Sequence, residues 1–434
     1  MTHRSVRLNV PVLARVEGEG AMHVEVTEGE VTDIRLEIYE PPRFFEAFLR
    51  GRAWTEPADI TARICGICPV AYQMSACRAM ERLGGITVGD DIGELRRLLY
   101  CGEWISSHGL HVGFLHAPDF LGFHSGFDLA ADHPAMVEGL LRLKRTGNRI
   151  MEAIGGRAIH PINIRVGGFH RAPSAVELEG LRPHLEEARA FAVELVRWTA
   201  GFDFPELSHD YEFVSLRNGR RYPFMEGRVV SNRGLDIDQA DFEDHFVEDQ
   251  VAHSTALHGR LRDRGWSHVG PLARWANNAD LLPRDVLDLA DEVGIGTTVT
   301  NPFRSIVVRA LETFFAVDEA LRLIDVYRRP APAAVAISPR AGTGAAVTEA
   351  PRGILYHLYS TEADGTITDA RIIPPTSQNL PTIEADLRRF VTGHLDLDQA
   401  ELELRCEQTI RNYDPCISCA THFLDLTIEH KVGP

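Results

Sequence analysis

Between residues 5 and 40, apolar and polar positions alternate. Val6, Leu8 and Val10 form one set, Val24 and Val26 stand against His23 and Glu25, and Ile34, Leu36 and Ile38 follow. A period of two puts one face of a strand on a core, so this stretch predicts strands, with Glu28-Gly29-Glu30 as a turn between two of them. From Ile92 the period changes. Leu95, Leu98, Leu99, Trp104 and Ile105 recur at helical spacing, and so do Leu140, Leu141, Leu143 and Ile150. Ser174 with Glu177 three residues on reads as a capping box, opening a helix over 175–198 that Pro183 is expected to kink or restart. Another helix is predicted over 302–327, and 204–241 reads as mixed and turn-rich. After Pro330-Ala331-Pro332 strands return, with 354–359 and 366–368 flanking Asp364-Gly365 as a hairpin. Residues 384–395 read as the last helix. The simplest architecture is α+β, a helical-bundle core clasped by β elements from both ends of the chain, in one domain over 1–434.

Composition narrows the function classes. The 434 residues are 44% hydrophobic and 25% charged, with a formal net charge of −17. That sign of charge argues against a nucleic-acid or acidic-membrane partner. No apolar run reaches the roughly 18 residues of a membrane span, and the first residues enter the strand pattern without an apolar signal-peptide core. A cytoplasmic location is the expectation.

Seven cysteines are an odd and sparse set for so long a chain, unlike a secreted disulfide framework. Four of them form two Cys-x-x-Cys pairs, Cys65 with Cys68 and Cys416 with Cys419, at opposite ends of the sequence. Such spacing lets two sulfurs face one centre, and soft thiolates favour zinc, iron or nickel over hard cations. Structural zinc is one reading, although zinc ribbons separate their pairs by far fewer residues. A redox dithiol is another, without the strand-to-helix context that usually carries it.

The neighbouring residues favour a third reading. Arg63-Ile64-Cys65-Gly66-Ile67-Cys68, followed near the other end by Asp414-Pro415-Cys416-Ile417-Ser418-Cys419 and His422, resembles the large subunit of nickel–iron hydrogenases. Arg15-Val16-Glu17-Gly18, Phe45-Glu46, Ser107-His108, His111 and Pro118-Asp119 fall in that family's order. So do Gly155-Gly156-Arg157, His160-Pro161, Gly167-Gly168, Glu349-Ala350-Pro351-Arg352-Gly353 and Pro375-Thr376. The cytoplasmic branch that couples to NAD(P) or a deazaflavin is the nearest in wording.

The resemblance implies a helical-bundle fold and reversible, heterolytic cleavage of H2. It implies a nickel–iron centre with CO and CN ligands on iron, Cys65 and Cys416 terminal on nickel, and Cys68 and Cys419 bridging to iron. Glu17 would relay protons beside Cys416. Arg352, restricted by Pro351, would present its guanidinium over the open metal position, held by Asp119 and Asp414. Thr376 and the amides near Pro351 and Arg352 would bond the cyanides. Glu46, the Ile372 carbonyl and His422 would hold a magnesium (or iron) ion. Electrons would leave through an iron–sulfur small subunit, since Cys77, Cys101 and Cys406 are too few for a four-cysteine cluster and read as buried small apolar groups. Flavin- and NAD(P)-binding subunits would follow, as no Gly-x-Gly-x-x-Gly follows a strand here.

Two departures from the family pattern stand out. Tyr72 occupies the place of a frequent histidine, replacing an imidazole contact to a bridging sulfur by a phenol that still donates a hydrogen bond. The tail 423–434 extends beyond His422 and is expected to be a maturation peptide, removed by an endopeptidase after nickel insertion. An H2-sensing subunit with little turnover is the alternative function, and the tail counts against it. A metal-free structural relative is disfavoured by the four retained thiols.

Overall fold

The computed structural model describes residues 5–421; His422 and the tail 423–434, with the ligand and maturation roles expected of them, lie outside the described residues. Three strands, β1 (Val6–Val10), β2 (Gly20–Thr27) and β3 (Glu30–Ile38), fall in the stretch expected to form strands and pair as an antiparallel meander. Glu28 and Gly29 both take left-handed φ angles, 52° and 86°, which is what a tight two-residue hairpin with native twist demands. β4 (Phe246–Asp249) and β5 (His258–Leu261) make a short antiparallel ribbon. β6 (Gly342–Ala350), β7 (Gly353–Thr361) and β8 (Ile367–Ile373) form a second antiparallel meander, with Asp364-Gly365 in the β7–β8 turn as expected.

The helical body consists of α1 (Pro69–Gly84), α2 (Asp90–Leu110), α3 (Pro134–Gly155), α4 (Arg182–Ala200) and α5 (Ser305–Asp325), followed by α6 (Pro375–Gly393) and α7 (Gln399–Arg411). Helices α2, α3, α4 and α5 pack on one another around a core that includes Leu99, Trp104, Leu143, Leu195 and Phe314. Gly102 and Gly147 set the closeness of α2 and α3, for a Cβ on Gly102 would stand 2.9 Å from the Gly147 carbonyl oxygen. The β1–β3 meander lays Leu8, Met22, Val24 and Leu36 on Leu380, Ile383 and Leu387 of α6 and Leu402 and Ile410 of α7. The first and last parts of the chain therefore share one core, and this shared core brings the two cysteine pairs together. Among the described residues, no helix is long and apolar enough to cross a membrane.

Several elements differ from the sequence reading. Pro183 restarts rather than kinks: the Ser174 capping box opens a short helix, Ala175–Glu179, and Pro183 lies in the first turn of α4, where its missing N–H costs nothing. Helix α6 begins at Pro375, nine residues before the expected start, because its polar first turns are buried and satisfied from outside: Gln378 donates to the Ile354 carbonyl and Asn379 both accepts from and donates to the Val269 backbone. It is also not the last helix. Helix α7 follows, its apolar stripe narrowed to Leu402, Cys406 and Ile410 on an otherwise charged sequence. Strand β6 and helix α1 carry no readable period because they are buried on nearly every side.

Candidate metal centre

Cys65 and Cys68 lie in the turn that enters α1. Cys68 is the residue just before the helix, and Pro69 in the first turn fixes the entry angle. The backbone N–H groups of Ile67 and Cys68 both point at Cys65 Sγ, at 3.3 Å each. Glu103 of α2 clamps the same helix start, accepting from the N–H groups of Val70 (2.6 Å) and Ala71 (3.1 Å). Burial pushes the Glu103 carboxyl well above the usual range, against the pull of those two amides.

Cys416 and Cys419 follow α7 on a loop pinned to the N-terminal motif. Glu17 pairs with Cys416 as a backbone bridge, and the Ile417 N–H donates to the Glu17 carbonyl at 2.9 Å. Gly18, at φ 90°, leaves no room for a side chain, since a Cβ would fall 2.7 Å from Ile417 Cβ and 2.9 Å from Ser418 N. Arg43 ties the two loops together by donating through one Nη2 to the carbonyls of Ile64 (2.8 Å) and Ser418.

The result is a quartet of sulfurs whose ligand atoms all lie within 4.8 Å of one another. Cys65 and Cys416 are 3.5 Å apart, Cys68 and Cys419 3.8 Å, and Cys416 and Cys419 2.6 Å; none is more than 3% exposed. The donor set itself calls for a metal. Hydrogen bonds from Cys416, Cys419 and Cys68 pull Cys65 towards the thiolate, whereas burial and the neighbouring sulfurs push Cys416 up. Four buried thiolates this close need a cation to coexist, and soft divalent ions supply it.

Polar groups ring the quartet. Glu17 Oε2 lies 3.0 Å from Cys416 Sγ and also accepts the Ser418 N–H at 3.1 Å; Glu17 is half-buried, between the sulfurs and solvent. Thr376, in the first turn of α6, accepts the Cys416 N–H at 3.0 Å, which leaves its hydroxyl hydrogen to donate elsewhere. Arg352 occupies the β6–β7 turn and is buried. Its Nε donates to the Asp414 carbonyl (2.6 Å) and one Nη2 to Asp414 Oδ1 (3.0 Å), while Nη1 is buried without a hydrogen-bond partner. Burial opposes its charge, but Asp414 and the thiolates of Cys416, Cys68 and Cys65 outweigh burial and hold it cationic. Asp414 adopts a left-handed φ of 51°, which turns both its carbonyl and its carboxylate onto the same guanidinium. From behind, Arg274 donates to the carbonyls of Ala350 and Pro351, each at 2.9 Å, and pairs with Glu312 and Glu349.

Asp119 requires a correction. It does not hold Arg352. Its carboxylate instead takes Arg411 in a two-pronged contact of 2.7 and 2.8 Å and Arg15 at 2.5 Å. It follows a π-helical turn, His111–His116, and fastens the end of α7 to the N-terminal motif, so it supports the loops rather than facing the sulfurs.

Glu46, in the short helix Phe45–Leu49, is fully buried beside Ile372, whose N–H donates to Glu46 Oε1 at 2.7 Å. Tyr72 is buried on α1. Burial, and then the charges of Cys419, Cys68 and Cys416, raise its phenol well above the usual range, so it sits against the thiols. An imidazole does stand nearby: the His357 ring of β7 is 5.7 Å from that of Tyr72, with its Nδ1 2.8 Å from the Tyr359 hydroxyl. Arg43, Glu103, Arg274 and His357 escaped the sequence reading. The available signal was a charged or polar residue interrupting an apolar stretch, as Glu103 does beside Trp104 and Ile105.

A buried all-cysteine centre, assembled from the two ends of a helical-bundle chain, defines a thiolate-ligated metalloprotein. The family model described as nickel-dependent hydrogenase matches residues 43–138 and 268–422, more than half the sequence. The chain belongs to that family, as the catalytic large subunit of a nickel–iron hydrogenase, an oxidoreductase acting on H2. It is 32% identical to sulfhydrogenase 1 subunit alpha of Pyrococcus furiosus, over 96% of this chain and 98% of that protein. It is 27% identical to NAD-reducing hydrogenase HoxS subunit beta of Cupriavidus necator, over 97% and 95% respectively. Among solved structures, an NAD+-reducing [NiFe]-hydrogenase in the H2-reduced state superposes with a TM-score of 0.86 at 27% identity, covering 96% of this chain and 99% of that one. The cysteine quartet fits the nickel–iron site of this family.

Proposed function

We propose that this subunit carries out reversible, heterolytic H2 cleavage, passing protons through Glu17 and electrons to an iron–sulfur small subunit. The observation that carries the reading is the Glu17 carboxylate at 3.0 Å from Cys416 Sγ, half-buried on the way to solvent. When bound, the nickel–iron centre with its CO and CN ligands supplies the electrophile that polarises H2 and accepts its electrons. The chain's own residues do the rest. Cys65, Cys68, Cys416 and Cys419 hold the metals. Glu17 takes the proton from the Cys416 side and releases it outward, the task of a carboxylate within hydrogen-bond reach of a thiol. Arg352, fixed by Asp414, turns a buried guanidinium donor to the site and stabilises negative charge there. The Thr376 hydroxyl and the backbone around Pro351 and Arg352 would offer donors to the cyanides, while Glu46, the Ile372 carbonyl and His422 would hold a magnesium (or iron) ion.

The electron path needs a partner. Cys77, Cys101 and Cys406 are buried and lie outside the four-thiol quartet, and three cysteines are too few for a four-cysteine cluster. Two similar proteins are named for NAD reduction, which supports coupling to NAD(P); flavin- and NAD(P)-binding subunits beyond the small subunit and a cytoplasmic location complete the proposal. The tail 423–434 is a maturation peptide that an endopeptidase removes. Purification of the complex tests the whole reading. An iron–sulfur subunit co-purifying with a large subunit whose mass ends at His422, and reducing NAD(P)+ under H2, supports it. A lone large subunit of full mass that turns over H2 with no partner contradicts it.

A further inference from the structure

A second cluster of metal-binding side chains lies away from the thiols. His253, from the β4–β5 connection, His258, the first residue of β5, and Glu384 of α6 place their ligand atoms within 4.8 Å of one another. His253 Nε2 is 2.8 Å from Glu384 Oε1, and the two imidazole rings meet edge to face, 5.6 Å apart at 83°. The same Glu384 oxygen accepts the Leu36 N–H at 2.9 Å, which fixes the carboxylate on β3. Thr255, between the two histidines, bonds the Ile38 carbonyl through both its N–H (2.8 Å) and its hydroxyl (3.0 Å), so the loop is held in place by contacts outside the cluster.

The telling atom is His258 Nε2. His258 is only 6% exposed, and this nitrogen is buried without a hydrogen-bond partner. Buried polar atoms are ordinarily satisfied, and each exception calls for a ligand, an ion or a water. His253 and Glu384 are about a fifth exposed, at 21% and 19% of their side chains, so an ion can enter and a water can complete its shell.

We propose that His253, His258 and Glu384 bind a divalent transition ion of the zinc class. Two imidazoles and one carboxylate are donors that suit borderline ions, and three protein ligands plus water is an ordinary open zinc arrangement. Bonds of about 2 Å from each donor require only small side-chain rotations from the present spacing. The ion replaces the proton that His253 shares with Glu384 and gives His258 its missing partner. It also ties the β4–β5 connection to α6, the helix whose first turn holds Thr376 against Cys416. The site shares no residue with the thiol quartet, and the proposal stands whatever the electron acceptor of the enzyme.

The test uses the intact purified complex, dialysed against a chelator and titrated calorimetrically with Zn2+ alone, with X-ray absorption at the zinc edge on the loaded wild type. The expected result is one equivalent bound through nitrogen and oxygen donors without sulfur, with at least tenfold weaker binding in His258→Ala and in Glu384→Gln. Excess Mg2+ should not displace it. No uptake by wild type, sulfur ligation, equal affinity in both variants, or ready displacement by Mg2+ would each overturn the proposal. The absorption measurement on wild type stands even where a variant fails to fold.

Discussion

Glu17 and Cys416 lie almost four hundred positions apart in sequence, yet a carboxylate oxygen of one is 3.0 Å from the sulfur of the other, and their backbones form a bridge. The same oxygen accepts the Ser418 N–H, so the carboxylate is held in place rather than swinging freely. Glu17→Gln keeps the size and the Ser418 contact while removing the base. Nickel and iron contents are expected to be unchanged, and H2/D2 exchange to fall by about a hundredfold or more, the scale of a lost general base. Wild-type exchange in this variant would remove Glu17 from the proton path.

Arg352 meets Asp414 through two different atoms, the carbonyl and the carboxylate. A lysine cannot reproduce that fork. Arg352→Lys is expected to leave the thiol quartet loaded and to lower kcat by at least about tenfold, since a single misdirected charge no longer faces the site. Turnover measured per nickel is the check, and an unchanged kcat would make the guanidinium dispensable.

For Asp119 the expected effect is on stability. Its carboxylate neutralises two arginines, Arg15 and Arg411, in a buried setting. Asp119→Asn leaves Arg15 without its carboxylate and Arg411 with Glu407 alone, and breaking such a buried pair typically costs up to about 3–5 kcal/mol. Urea denaturation should show the loss, together with poorer metal retention, while turnover per nickel of the surviving protein stays close to wild type. A large fall in turnover per nickel with unchanged stability would return Asp119 to the reacting site.

Glu349 predicts a pH dependence. Burial raises its carboxyl from 4.5 to about 7, because Arg274, its partner, is already committed to Glu312. Between those values the folded chain holds a proton that the unfolded chain has released. Stability is therefore full below about 4.5 and declines as pH rises towards 7, by at most about 3 kcal/mol from this group. Glu349→Gln, neutral throughout, should flatten that part of the urea-midpoint profile; an unchanged slope would contradict the assignment.

Much of this arrangement was legible in the linear sequence. The alternation of β1 to β3, the Glu28-Gly29 turn and the Ser174 capping box are local signals, and the structure realises each of them. The cysteines were readable because a metal fixes both residue type and spacing. Gly18 belongs with them, since its motif position reflects the close passage of the Cys416 loop. What the sequence hid is pairing across distance. Arg15, Arg352 and Arg411 are equivalent as letters, and nothing local tells which of them Asp119 will meet. Arg43, Glu103 and Arg274 act largely on backbone groups of remote loops, contacts that leave no pattern along the chain. The first turns of α6 were lost for a related reason: polar residues satisfied by distant backbone resemble a loop until the tertiary contacts are known.

The central claim is that sulfurs from both chain ends bind nickel coupled to iron. Elemental analysis combined with infrared spectroscopy of the purified, tail-processed complex tests it most directly. One nickel per large subunit, with stretching bands of iron-bound carbonyl and cyanide that vanish when Cys68 and Cys419 are both replaced by Ser, is the predicted result. Zinc on the four thiols, with no such bands, would contradict it.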